Sequence, residues 1–155
     1  MTYALLLYAH VIGACVLLGT GAGIAFFFVA SNHWGNPAMI SHVGRIVVLA
    51  DTIFTATAAL IQPITGYFLA REVGWSLTEP WLLASLALYV IVGAFWLPVV
   101  WIQIQLRDIA LKAAQDRIAL PMLYKRLYRI WLLLGVPAFI SVLLIVWLML
   151  TKPVL

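Results

Sequence analysis

Apolar residues fill four long runs, separated by short polar stretches. The runs are Tyr3 to Ala30, Ile46 to Ala70, Trp81 to Leu106 and Ile130 to Thr151. Each is long enough to cross a bilayer, which takes about 20 apolar residues. None keeps strict alternation, and a lone four-stranded sheet would leave open edges in lipid. The pattern therefore predicts an all-α fold, an integral membrane four-helix bundle with short loops, as one domain over residues 1–155. No basic residue precedes the first run, and the run is too long for the core of a cleavable signal. It reads as a permanent helix.

Composition agrees. The chain is 66% hydrophobic and 9% charged, with a mean hydropathy of +1.12. About a quarter of an ordinary soluble domain is charged. A soluble enzyme, a disordered chain and a disulfide scaffold are excluded, and a lipid bilayer is the expected environment. The net charge of +4 does not point to nucleic acid, because the basic residues sit beside the spans. The single cysteine, Cys15, reads as a small core residue.

The basic residues set the expected orientation. Arg45, Arg107, Lys112, Arg117, Lys125, Arg126 and Arg129 follow the first and third spans, leaving only Arg71 and Lys152 for the other side. The positive-inside rule places the basic side in the cytoplasm and both termini outside, in the periplasm if the membrane is a bacterial inner membrane. Arg107-Asp108, Lys112 and Asp116-Arg117 predict that the third helix continues beyond the membrane as a polar helix. Leu120-Pro121 then ends it, with Pro121 suited to the first turn of the fourth.

Several polar residues lie inside the spans. His10 sits roughly 10 Å below the outer start of the first helix. An ionisable group at that depth is a functional hypothesis by default, and neutral imidazole is a good haem ligand; the other reading is a helix–helix hydrogen bond to a neighbouring Thr, Gln or carbonyl. Gly19-x-x-x-Gly23 permits close packing, within the bundle or between copies. On the second span Asp51, Thr55, Gln62 and Gly66 recur at helical steps and share one face. Asp51 lies in the inner half, with Arg45 as its expected ion-pair partner and Arg129 as a second. The functional reading is a proton or ion relay; the structural one is an ion pair or an Asp51 hydrogen-bonded to threonine. Pro63 frees the carbonyl of residue 59. By depth alone His10, Gln62, Tyr89 and Ser141 are expected to line one outer-half pocket. Trp96, Trp101, Gln103 and Gln105 are candidates to line the inner half; Gln103 and Gln105 lie near the interface, where solvation is the other reading. His33 and His42 are expected in a cytoplasmic loop, too far from His10 to share a ligand sphere with it.

These segments resemble an uncharacterised bacterial family of predicted four-span integral membrane proteins. The matching pieces are the His10 segment running to Gly19-Thr20-Gly21, Ala50-Asp51 with Gln62-Pro63-x-Thr65-Gly66, Trp81-Leu82-Leu83-Ala84-Ser85-Leu86 with Trp96-Leu97-Pro98-Val99-Val100, and Gly135-Val136-Pro137-Ala138-Phe139. The resemblance covers nearly the whole chain and implies the fold, with no activity attached. A weaker similarity is to four-helix haem proteins of the HemJ type, the membrane protoporphyrinogen oxidases, and to CopD-like membrane domains. It implies His10 as an axial ligand of haem b. The third span lacks the lysine a HemJ-like protein carries there, so the oxidase activity is not implied.

The leading expectation is a haem b protein of the inner membrane, doing redox chemistry or electron transfer with quinone or another membrane partner. The second ligand would be absent, Gln62, or His10 of a second copy in a homodimer. One rival is a non-catalytic membrane subunit or assembly factor of a larger complex. Another is a small proton- or ion-linked transporter using Asp51.

Overall fold

A computed structural model describes residues 2–153. Four helices of membrane-crossing length and apolarity make up almost all of it. They are α1 (Thr2–Trp34), a second helix built from α2 (Pro37–Ala50), a π-helical turn (Asp51–Thr55) and α3 (Ala56–Val73), then α4 (Pro80–Gln115) and α5 (Met122–Thr151). No strand occurs among the described residues. At 1.5 Å per residue the 36 residues of α4 reach about 54 Å. That exceeds the ~30 Å hydrocarbon core, so the segment carrying Arg107, Lys112 and Gln115 projects from the membrane.

The connections are short because local chemistry ends each helix sharply. Gly35 adopts a left-handed φ of 67°. The Asn36 side chain then caps α2, accepting from the backbone N–H of Ala38 at 2.9 Å and of Met39 at 3.3 Å. Pro37 occupies the first turn, where its missing N–H costs nothing. At the end of α3, Gly74 turns left-handed with φ 82°. The N–H of Trp75 donates to Ala70 O at 2.9 Å and that of Gly74 to Arg71 O at 3.2 Å, a Schellman closure. The same closure ends α4 through Ile118 to Ala113 and Arg117 to Ala114, with Arg117 held at φ 53°.

This local order corrects one expectation. The stretch expected as a cytoplasmic loop is helical except at Gly35 and Asn36. His33 ends α1 and His42 lies within α2. The Asn36 cap and Pro37 start the second helix well before its apolar run begins.

The tightest packing lies at the basic end. Phe28, Ile40, Leu106 and Ala110 are fully buried there, with Val47, Ile102, Tyr124 and Trp131 around them. Helix α4 packs along α5 and against α2, while α1 pairs with α3. Gly44 allows the α2–α4 approach, since a Cβ there would lie 3.1 Å from Arg107 Cβ. Tyr124 donates to Asn32 Oδ1 at 2.5 Å, and Asn32 Nδ2 donates to Phe28 O at 2.8 Å. These bonds fasten the start of α5 to the end of α1.

Apolar side chains face outward along every span; Leu60 is 72% exposed, Leu133 73% and Leu150 76%. Such a surface belongs in lipid. Cys15 is exposed on it, not in the core as expected, because the buried face of α1 runs through Gly13, Ile24, Phe28 and Ser31. Gly19 and Gly23 have no atom within 4 Å of where a Cβ would stand. They make no close contact inside this bundle.

Candidate functional site

Two polar clusters lie within the spans, on opposite halves of the second helix. The first joins α3 to α1. His10 Nδ1 lies 2.9 Å from Thr65 Oγ1, whose hydroxyl donates back to Ile61 O at 3.0 Å. With its amide oriented to satisfy its neighbours, Gln62 donates to His10 O at 3.0 Å and accepts from Ala14 N–H at 3.0 Å. The carboxamide thus lies along the backbone of α1. It fits because Gly13 has no side chain; a Cβ there would stand 3.0 Å from Gln62. Gly66 makes room for the imidazole in the same way.

Nearby, Tyr89 donates its hydroxyl to Ala59 O. That is the carbonyl which Pro63 leaves without an intrahelical partner. Ser141 turns back to donate to Pro137 O at 2.8 Å within α5. Of the four residues expected around one pocket, His10 and Gln62 come together. The polar atoms of Gln62, Tyr89 and Ser141 are all bonded to helix backbone. The only ring atom left without a hydrogen bond in this set is His10 Nε2. The Gln62 amide is engaged with the backbone of α1. No group of three or more His, Cys, Asp or Glu gathers among the described residues.

The second cluster centres on Asp51, 3% exposed. Trp96 Nε1–H donates to its Oδ1 at 3.1 Å and Gln103 Nε2 to its Oδ2 at 3.4 Å. Gln103, 1% exposed, accepts in turn from Trp131 Nε1–H at 2.9 Å. The polarity of this chain is fixed from one end. An indole N–H can only donate, so the Gln103 oxygen faces Trp131 and its NH2 must face Asp51. Thr55 stands beside the same carboxylate, yet its buried Oγ1 has no partner in hydrogen-bond geometry.

Asp51 opens the π-helical turn, in which Ala56 N–H reaches back to Asp51 O. Such turns are rare and recur at functional sites. The wider turn changes the register of the helix. The expected single face is therefore divided: Asp51 meets α4, whereas Gln62 and Gly66 meet α1.

The expected ion pair does not form. Arg45 is exposed, and the salt bridge found among the described residues joins Arg107 to Asp108 at 2.8 Å. The guanidinium of Arg45 stays outside because the buried face of α2 is taken by Ile40, Ser41, Gly44 and Val47. Of the two readings open for Gln103, solvated or lining the inner half, the structure shows the second: it is the central link. Its burial was signalled by the spacing of Trp96, Val99, Gln103, Leu106 and Ala110, which share one helical face. The π turn had no signal of its own.

The family described as predicted integral membrane protein (DUF2269) matches residues 4–153. The chain belongs to that family. The DUF2269 match spans both polar clusters and all four membrane helices. No curated protein and no solved structure matches this DUF2269 member. The weaker likeness to the HemJ and CopD groups gains nothing from these comparisons.

Proposed function

We propose that the protein is a small proton-linked membrane transporter in which Asp51 takes up and releases the proton. The supporting observation is the company this carboxyl keeps. It is buried in a membrane helix, no cation pairs with it among the described residues, and its hydrogen-bond donors are the neutral Trp96 and Gln103. A carboxyl in that setting is expensive to keep charged and is a proton site by default. When ionised, it accepts from Trp96 and Gln103. When protonated, its new O–H requires an acceptor, and Thr55 Oγ1 is the unpartnered oxygen beside it. In this reading the basic end faces the cytoplasm of a bacterium and both termini are periplasmic, as the charge bias implies. Four helices leave little room for alternating access, so the working unit is a homodimer, with the open Gly19/Gly23 face of α1 as its contact.

The test uses vesicles that enclose a pH-sensitive dye and carry an imposed pH gradient. Wild type is expected to collapse the gradient, and Asp51→Asn to match empty vesicles while keeping its helix content. A carboxylic C=O infrared band that responds to a pH jump in wild type is expected to vanish in Asp51→Asn. Unchanged flux in that variant would refute the proposal and return the weight to a non-catalytic subunit.

One observation favours a second reading, haem b at His10. Its Nδ1 is anchored by Thr65 while Nε2 is unengaged, the arrangement that orients a ligating imidazole. Bound haem would supply one-electron chemistry towards quinone or another membrane partner. The expected result is a Soret band in wild type that His10→Ala loses. Colourless wild type after expression with ample haem would end this reading.

A further inference from the structure

At the basic end α1 and α5 meet through Tyr124–Asn32 and Phe28–Trp131, and two open cavities are lined by residues of both helices. One, of about 580 Å³, is lined by Asn32, Pro37, Tyr124, Lys125, Tyr128 and Arg129 among others. The other, of about 560 Å³, is walled by Ala25, Phe26, Val29, Ala30 and Val136, with His33 and Trp34 at one end. Leu132 lines both, so the two are neighbours. We propose that together they hold one anionic phospholipid, with its phosphate in the first cavity and an acyl chain in the second.

The chemistry of each half selects its part of the ligand. Lys125 and Arg129 stand one turn apart on α5 and bring two positive charges to the rim of the first cavity. Neither joins a salt bridge among the described residues. None of the chain's acidic residues lines either cavity. Tyr128 lines the same cavity and its hydroxyl makes no hydrogen bond among the described residues, whereas Tyr124 is committed to Asn32. A phosphate at that rim therefore has two cations near it. The second cavity carries no charged wall apart from His33, and it opens on the lipid-facing surface, where Phe26 is 66% exposed. A soluble phosphate has nothing to gain there, but an acyl chain does. Such a site differs from general attraction of basic residues to an anionic leaflet, because it requires both cavities at once.

The test is native mass spectrometry of the purified full chain, offered phosphatidylglycerol and phosphatidylcholine with identical acyl chains. Wild type is expected to retain one phosphatidylglycerol per chain in preference to phosphatidylcholine. Lys125→Ala and Arg129→Ala should each weaken retention by about fivefold; both side chains are exposed, so helix content should not change. Val29→Trp, which fills the apolar cavity and leaves the charges in place, should also weaken it. Excess glycerol phosphate should displace nothing. Equal retention of the two lipids by wild type would overturn the proposal. So would wild-type retention by the double alanine variant or by Val29→Trp, or displacement by glycerol phosphate.

Discussion

Gly66→Val is expected to destabilise the protein by about 1–3 kcal/mol, the usual range for forcing bulk into a closed contact. A Cβ at residue 66 would stand 3.2 Å from His10 Cε1 and 3.7 Å from Nδ1. The two methyl groups of valine reach further. The imidazole has no easy retreat, because Nδ1 is held at 2.9 Å by Thr65 Oγ1. Helix propensity favours valine over glycine by a few tenths of a kcal/mol, far less than the clash. Gly93→Val is the control, since a Cβ at residue 93 meets nothing within 4 Å. Its effect should stay within about 0.5 kcal/mol. Thermal unfolding in detergent reads both. Removing the imidazole in Gly66→Val/His10→Ala should recover much of the loss, a coupling on the order of 0.5–3 kcal/mol. Equal stability of Gly66→Val and Gly93→Val would show that α1 and α3 do not cross this closely.

The four spans could be read directly because lipid imposes a length and an apolarity that few other environments require. The polar continuation of α4 was readable for the same reason: Arg107, Lys112 and Gln115 do not belong in hydrocarbon. The carbonyl freed by Pro63 followed from ring geometry alone, and it is the one Tyr89 reaches. What depth could not supply was rotation. Counting along each run puts His10, Gln62, Tyr89 and Ser141 at similar expected heights, but height does not say which face of each helix meets which neighbour. Ser141 shows the difference, since its hydroxyl is satisfied inside α5. Arg45 shows another: it stands six positions before Asp51, yet the helix carries them to different faces, one to solvent and one to α4.

The two polar clusters use glutamine for opposite purposes. Gln62 bonds to the backbone of α1 and behaves as a spacer between two helices that glycines allow to approach. Gln103 links side chains and carries orientation from Trp131 to Asp51. An amide suits both tasks because it presents a donor and an acceptor on one rigid plane. The first arrangement leaves one imidazole nitrogen free, and the second leaves a carboxyl without a cation. The spans therefore hold a candidate ligand atom on α1 and a candidate proton site on the second helix.

Gln103→Leu keeps the shape of that link and removes both of its bonds. The Trp131 indole N–H and Asp51 Oδ2 are then left without partners in a site that is nearly dry; Trp131 is 4% exposed. Stranded polar groups each cost about 1–3 kcal/mol in a protein interior. Interhelical hydrogen bonds in bilayers average nearer 0.6 kcal/mol, because unfolded helices find other partners. The expected loss is therefore about 1–3 kcal/mol in total, read as a lower midpoint in a detergent unfolding titration. Trp131→Phe should cost less, because the ring still packs against Phe28, with centroids 5.2 Å apart in the native protein. Only the Gln103 oxygen loses its partner in that variant. With the indole N–H gone, only Asp51 orients the amide: ionised it holds the NH2, and protonated it can donate to the oxygen. The double variant should therefore be less damaged than the sum of the two, since both changes break the same bond. Strict additivity would mean that Trp131 and Gln103 act separately, and that the orientation of the Asp51 site does not begin at the indole.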